Sequence, residues 1–208
     1  MTRNGVLAGA SLFGLVWLGI LLWQDVPVEG WWLRWVPTAV SVVMLLFWPV
    51  ERWLWKYWPL NGLLWKRPFL GGTWRVTLQT SWKNPETGET PGPITCYMAV
   101  RQTLTTLSMR LMTPESRSLL VADRVLEESD GVFQVMAVYR NEPKIELRGE
   151  RSEIHYGAFR LEIRGTPPSG LRGEYWTDRV TRGTMDFDSR VPKVLDTYEE
   201  AAQTFRGP

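Results

Sequence analysis

Gly71-Gly72-Thr73-Trp74-Arg75-Val76-Thr77-Leu78-Gln79-Thr80-Ser81-Trp82 is the stretch from which the fold is read. Trp74, Val76, Leu78, Thr80 and Trp82 alternate with Arg75, Thr77, Gln79 and Ser81. That period of two describes a strand with one face buried and one wet. The same texture recurs at Ile94–Gln102, Leu104–Thr113, Ser116–Glu128, Val132–Arg140, Glu153–Ile163, Gly170–Thr177 and Thr181–Asp188. Turn residues separate these runs: Pro91-Gly92-Pro93, Thr113-Pro114, Ser129-Asp130-Gly131 and Pro167-Pro168-Ser169-Gly170. Eight short strands with tight connections predict a small eight-stranded up-and-down antiparallel β-barrel, whose closure removes the sheet edges. A two-sheet sandwich is the alternative. After Pro192 the period changes, and Leu195, Tyr198, Ala202 and Phe205 share one helical face. The tail is therefore expected to be a short C-terminal helix that plugs or braces the barrel.

Before the barrel the chain is apolar. Gly5 to Trp23 runs nineteen residues without a charge, and Trp35 to Val50 sixteen. A helix rises about 1.5 Å per residue against a bilayer core of about 30 Å. The first run is long enough alone, and the second is completed by Trp31, Trp32 and Leu33, with Arg34 reaching toward the headgroups. The reading is an N-terminal transmembrane α-helical hairpin (about 5–23 and 31–50) within residues 1–50. A Trp-rich neck follows at 51–66, the cytosolic β-barrel at 67–190, and the helical tail at 191–208. A cleaved signal peptide is the competing reading of the first run, but its apolar core is longer than usual and a second span follows. Ten of the thirteen tryptophans lie at or before Trp65, where indoles suit a membrane–water interface. Arg3 precedes the first run, and Arg52, Lys56, Lys66 and Arg67 follow the second. The positive-inside rule then places both termini in the cytoplasm. Gly5 to Gly9 and Ala10 to Gly14 repeat a small-residue spacing that lets helices approach in lipid, which makes self-association plausible.

Composition excludes several chemistries. The net charge of +2 carries no basic block, so no nucleic-acid polymer is expected as partner. One cysteine and one histidine rule out an intrachain disulfide and a Cys- or His-rich metal centre. No phosphate-cradling G-x-x-x-x-G-K is present. Cys96 sits in an apolar strand and reads as core rather than as a thiol nucleophile paired with His155. Asp186 and Asp188 share a face that Met185 and Phe187 leave to solvent. No catalytic residue and no cofactor is expected. Gly157, Gly173 and Gly183 inside strands are expected to permit tight curvature.

Alternating strand directions place Trp74, Leu104, Ile163 and Phe187 at the neck end, as an apolar floor. The far end is the expected mouth. Strand seven reads Leu171, Gly173, Tyr175, Thr177, Arg179 on one face and turns polar toward that mouth. Tyr175, Thr177, Arg179 and Trp82 are therefore candidate ligand-binding residues, with Arg140 and Tyr97 at the same rim and Arg110 on the less apolar register of strand three. An inward arginine is costly to bury unpaired, so it calls for an anion. The plain alternative pairs it with Glu174, Asp178 or Asp186. Guanidinium forks suit phosphates, and Trp or Tyr faces suit nucleobases.

Two resemblances attach to these residues. Gly72-Thr73-Trp74, opening the first strand, resembles the G-x-W start of lipocalins, in which the Trp crosses the closed end of the barrel. More of the chain resembles the two-transmembrane β-barrel effectors of bacterial cyclic-oligonucleotide-based antiphage signalling systems (CBASS). The similarity runs through the two apolar runs, the Trp-rich neck, Arg67-Pro68-Phe69-Leu70-Gly71-Gly72-Thr73-Trp74 and the barrel. Gly173-Glu174-Tyr175-Trp176-Thr177-Asp178-Arg179, continuing to Thr181-Arg182-Gly183, is similar to that family's penultimate hairpin. The resemblance implies that a partner nucleotidyltransferase makes a cyclic dinucleotide and the barrel binds it. Binding would then drive homo-oligomerisation of the hairpins in the lipid bilayer, disrupting the bacterial inner membrane. It implies no covalent chemistry. A membrane-anchored carrier of an apolar ligand, and an adaptor binding protein through outward Trp176, are the other readings.

Overall fold

The computed structural model describes residues 14–19, 22–23, 36–57, 59–84, 87–149 and 152–207. They fall into two compact units, one comprising 1–67 with 103–106, the other 68–102 with 107–208. In the first unit, helix α1 (Val36–Arg52) is 17 residues long and holds Pro49. Among the described residues no helix is long and apolar enough to cross a membrane. The first expected span is described only at 14–19 and 22–23, which are helical, and the second only from Val36 onward. The expected hairpin thus lies partly outside the described residues, and they do not establish it. After α1 the neck folds on itself. Trp55 is wholly buried, and the Trp65 indole donates to its carbonyl at 3.0 Å. The Asn61 carboxamide bonds both the N–H and the C=O of Arg67.

The second unit is the expected barrel. Its strands are β1 (Gly72–Thr80), β2 (Ile94–Gln102), β3 (Leu107–Met112), β4 (Ser116–Glu127), β5 (Phe133–Pro143), β6 (His155–Arg164), β7 (Gly170–Thr177) and β8 (Arg182–Val191). Neighbours in sequence pair antiparallel, and β8 pairs with β1 to close the sheet. β3 starts later than expected because Thr103 to Thr106 close a turn, with the Thr103 N–H donating to the Thr106 carbonyl at 3.0 Å. β5 runs three residues past Arg140.

Closure sorts the side chains into rings. Ile163, Leu171, Phe187, Val76 and Cys96 are successive cross-strand partners on β6, β7, β8, β1 and β2, and all are buried. Trp74 lies across this floor, its indole N–H donating to the Leu70 carbonyl at 2.8 Å. Its ring meets Phe187 edge-on at 6.4 Å, and the Arg190 guanidinium covers it at 5.0 Å. Leu104, expected in the floor, is instead part of the 103–106 turn, where its N–H donates to the Glu51 carbonyl. Two positions of the wall leave no room for a β-carbon: one on Gly173 would lie 1.8 Å from the Arg160 carbonyl oxygen, and one on Gly183 1.9 Å from that of Gln79.

The tail braces the barrel from outside and does not plug it. Helix α2 (Tyr198–Arg206) is capped by the Thr197 side chain, which accepts from the Glu200 N–H. Ala201, Ala202 and Leu195 pack on Tyr97, Ala99 and Met112, the outer face of β2 and β3. The Thr73 hydroxyl pins the tail by donating to the Lys193 carbonyl and accepting from the Leu195 N–H, both at 2.8 Å.

Two stability tests follow from this core. Phe187→Ala should cost about 3–5 kcal/mol, read from urea unfolding of the full chain by circular dichroism. A loss of only about 0.5 kcal/mol, as at a surface site, would contradict the floor. The second test is alkaline. Burial pushes the Cys96 thiol from its ordinary 9.0 up to about 12. The folded chain keeps a proton that the unfolded chain releases, so stability present below pH 9 is lost as pH rises toward 12. The slope should be about 1.4 kcal/mol per pH unit in that window. Cys96→Ala should flatten the slope between pH 9 and 10; an unchanged slope would place the titrating group elsewhere.

Candidate functional site

Above the floor the rings change character. Ala137, Phe159, Tyr175, Gly183 and Thr80 form one cross-strand row from β5 round to β1. The next row toward the mouth is Leu120, Tyr139, Gly157 and Thr177, and the next Leu111, Ser118, Asn141 and His155. Small side chains interrupt each row, and a cavity of about 460 Å³ opens between them. Met98, Met109 and Met185 line its depth. Tyr139 and Phe159 stack beside it with centroids 6.0 Å apart. Gly157 makes room for that stack, since a β-carbon there would lie 2.4 Å from the Tyr139 hydroxyl. Burial raises both the Tyr139 and the Tyr175 phenol above the ordinary range, with a hydrogen bond to Thr80 opposing the shift at Tyr175. Both rings are thus neutral hydrogen-bonding groups at physiological pH.

The mouth is polar. The Thr177 and Thr181 hydroxyls lie 2.7 Å apart across the β7–β8 turn, and the Arg179 N–H donates to the Thr177 hydroxyl at 3.2 Å. That turn leaves Val180 at φ 62° and 93% exposed, while Arg179 lines the cavity. The Arg179 guanidinium donates to the Ser152 hydroxyl at 2.9 Å and pairs with no carboxylate among the described residues. Two of the acids that could have neutralised it are paired elsewhere, Glu174 with Arg160 and Asp186 with Arg172, while the Asp178 carboxylate accepts from the Tyr156 N–H. Among the described residues Glu115 is the carboxylate that lines the cavity.

Of the seven sequence-stated candidates, Trp82, Tyr175, Thr177 and Arg179 come together around this cavity. Three do not, each displaced by register. Tyr97 points outward because Cys96, Met98 and Val100 hold the inner register of β2. It is buried under α2, 5.3 Å from the rings of both Tyr198 and Phe205. Arg140 is outward because Tyr139 and Asn141 face in, and it pairs with Glu142, which Arg117 also holds. Arg110 is outward between Met109 and Leu111, and its guanidinium approaches Asp196 at 3.4 Å. Outward Trp176 is half exposed, as expected.

Ser118, Asn141, Tyr139, Phe159 and His155 were missed. Val135, Ala137, Tyr139 and Asn141 alternate in the sequence, so carrying strand five past Arg140 would have put Asn141 on the inner wall.

Such a cavity, apolar and aromatic in depth with a hydroxyl rim and the Arg179 guanidinium at its mouth, suits a ligand with flat rings and anionic groups. Residues 65–189 match the family model described as Cap15, cyclic dinucleotide receptor domain. No curated protein matches the chain. The matched span is more than half of the 208 residues and contains nearly all of the barrel, so the chain belongs to the family of Cap15 cyclic dinucleotide receptor domains.

Proposed function

We propose that the chain is a CBASS effector that uses its barrel as a receptor, not as an enzyme. A cyclic dinucleotide made by a partner nucleotidyltransferase would enter the cavity. The observation that carries this reading is Arg179, a guanidinium without a carboxylate partner among the described residues, at the mouth of an aromatic-lined cavity. Family membership supports the same ligand class. A phosphate oxygen replaces the neutral Ser152 hydroxyl as the guanidinium's acceptor, which gives a stronger, charge-assisted bond. Ring faces of Tyr139, Phe159 and Tyr175 offer stacking surface to a base.

The output belongs to the N-terminal runs. Gly5 to Trp23, and Trp31 to Val50 with Arg34 reaching toward the headgroups, are long enough for two spans of a bacterial inner membrane, with both termini in the cytoplasm. Ligand binding drives the hairpins to self-associate through the small-residue face of the first run and disrupts the bilayer, killing the infected cell. This step rests on the sequence pattern and on the family resemblance.

The test is thermal and chemical unfolding of the full chain in detergent against cyclic di- and trinucleotides, with linear dinucleotides and fatty acids as controls. One cyclic dinucleotide should stabilise by about 2.7 kcal/mol at a hundredfold excess over Kd. Arg179→Ala should weaken binding roughly tenfold to a hundredfold, the worth of a hydrogen bond to a charged group, without lowering the stability of the ligand-free chain. Stabilisation by fatty acid alone would instead favour a lipid carrier, and unchanged affinity in Arg179→Ala would remove that residue from the site.

A further inference from the structure

Resting on the receptor reading above, we propose that Asn141 and Ser118 read the edge of a nucleobase inside the barrel, while Arg179 at the rim holds phosphate. Ser118 and Asn141 are cross-strand partners on β4 and β5. They are 7% and 8% exposed, and both line the cavity. The Ser118 hydroxyl donates to Asn141 Oδ1 at 2.9 Å. That bond sets the carboxamide's orientation and leaves its Nδ2 hydrogens without a protein partner among the described residues. Oδ1 keeps a second lone pair.

The chemistry of the pair exceeds what the wall needs. A buried polar pair costs desolvation that an apolar pair would avoid. β4 and β5 are already joined by their long backbone ladder. A carboxamide presents a donor and an acceptor side by side in one plane, the pattern that adjacent groups on a base edge match. The Tyr139–Phe159 stack lies one and two rows below, so a base resting on those rings would bring its edge toward Asn141. Arg179 is a different kind of contact. Phosphates are common to every cyclic dinucleotide, so Arg179 positions without choosing, whereas a base-edge contact chooses.

Competition binding on the full chain in detergent tests the division of labour. The probes are cyclic dinucleotides that differ only in their bases: two adenines, two guanines, adenine with guanine, and adenine with uracil. Asn141→Ala should shrink the preference of the wild-type chain by about tenfold or more, the worth of a bidentate base contact. Asn141→Asp, which exchanges the donor for an acceptor, should change which base is preferred. Arg179→Ala should weaken all probes by one factor and keep their ranking. Ser118→Ala, a smaller change that frees the carboxamide to rotate, should also relax the ranking and serves if Asn141→Ala does not fold. A ranking that survives both Asn141→Ala and Ser118→Ala, or a wild-type chain without base preference, overturns the inference and leaves the receptor reading intact. A wild-type chain that binds none of the probes overturns both.

Discussion

The pairing of β1 with β8 is the constraint on which the rest depends. It converts a meander of eight strands into a surface with an inside and an outside, and from then on a residue's role follows from its parity, reset at the bulges between Arg75 and Val76 and between Leu120 and Ala122. Register cannot slip by one residue without turning Trp74, Val76 and Leu78 out and Arg75 and Thr77 in, which is why the alternating pattern specifies it so strongly. The same parity decides the site. Arg140 and Asn141 are chain neighbours, yet one is paired with Glu142 on the outside and the other lines the cavity.

Closure also explains why one end is solid and the other open. At the floor the inward positions carry Trp74, Phe187, Leu161 and Leu171, all wholly or almost wholly buried. Toward the mouth they carry Gly157, Ser118, Thr177 and Thr80. The strands run on at much the same circumference, so smaller side chains leave space. Protein interiors are otherwise packed like organic crystals, and a void of hundreds of cubic ångströms forgoes dispersion contacts that larger residues would supply. A barrel that only had to fold would fill that end as it fills the other.

The strands were legible because a barrel this small uses each of them half-buried, which writes a period of two into the chain. The differences between sequence and structure have separate physical origins. On β2, Cys96 through Val100 are all buried, since α2 covers the outer face there, so alternation is hidden and Tyr97 looks free to face either way. Arg140 and Arg110 carry the charge that an anion calls for, but the register of Tyr139 and of Met109 beside them places them outside. The helical face of the tail was visible in Leu195, Tyr198, Ala202 and Phe205, but an apolar face packs equally well inside a barrel or against its wall. Which of the two applies depends on Tyr97 and Ala99 pointing outward, a fact about β2 that the tail does not contain. Asn141 was hidden because the expected strand ended at Arg140, three residues before the end of β5.

Charge balance orders how a cyclic dinucleotide could sit here. Such a ligand carries two phosphates, and among the described residues the lining carries one arginine, Arg179, with Glu115 also on the rim. Sinking both phosphates into the methionine-lined depth would leave at least one charge desolvated without a partner, a cost of several kcal/mol. Turning a base inward costs far less, because its faces are apolar and only its edge needs partners. The depth supplies the faces through Tyr139, Phe159 and Tyr175, and the wall supplies the edge partners through Asn141 and Ser118. Under the receptor reading the macrocycle therefore rides at the mouth, with one phosphate on Arg179 and the other in water. The part of the ligand left exposed would then lie on the surface that the rim presents to its surroundings.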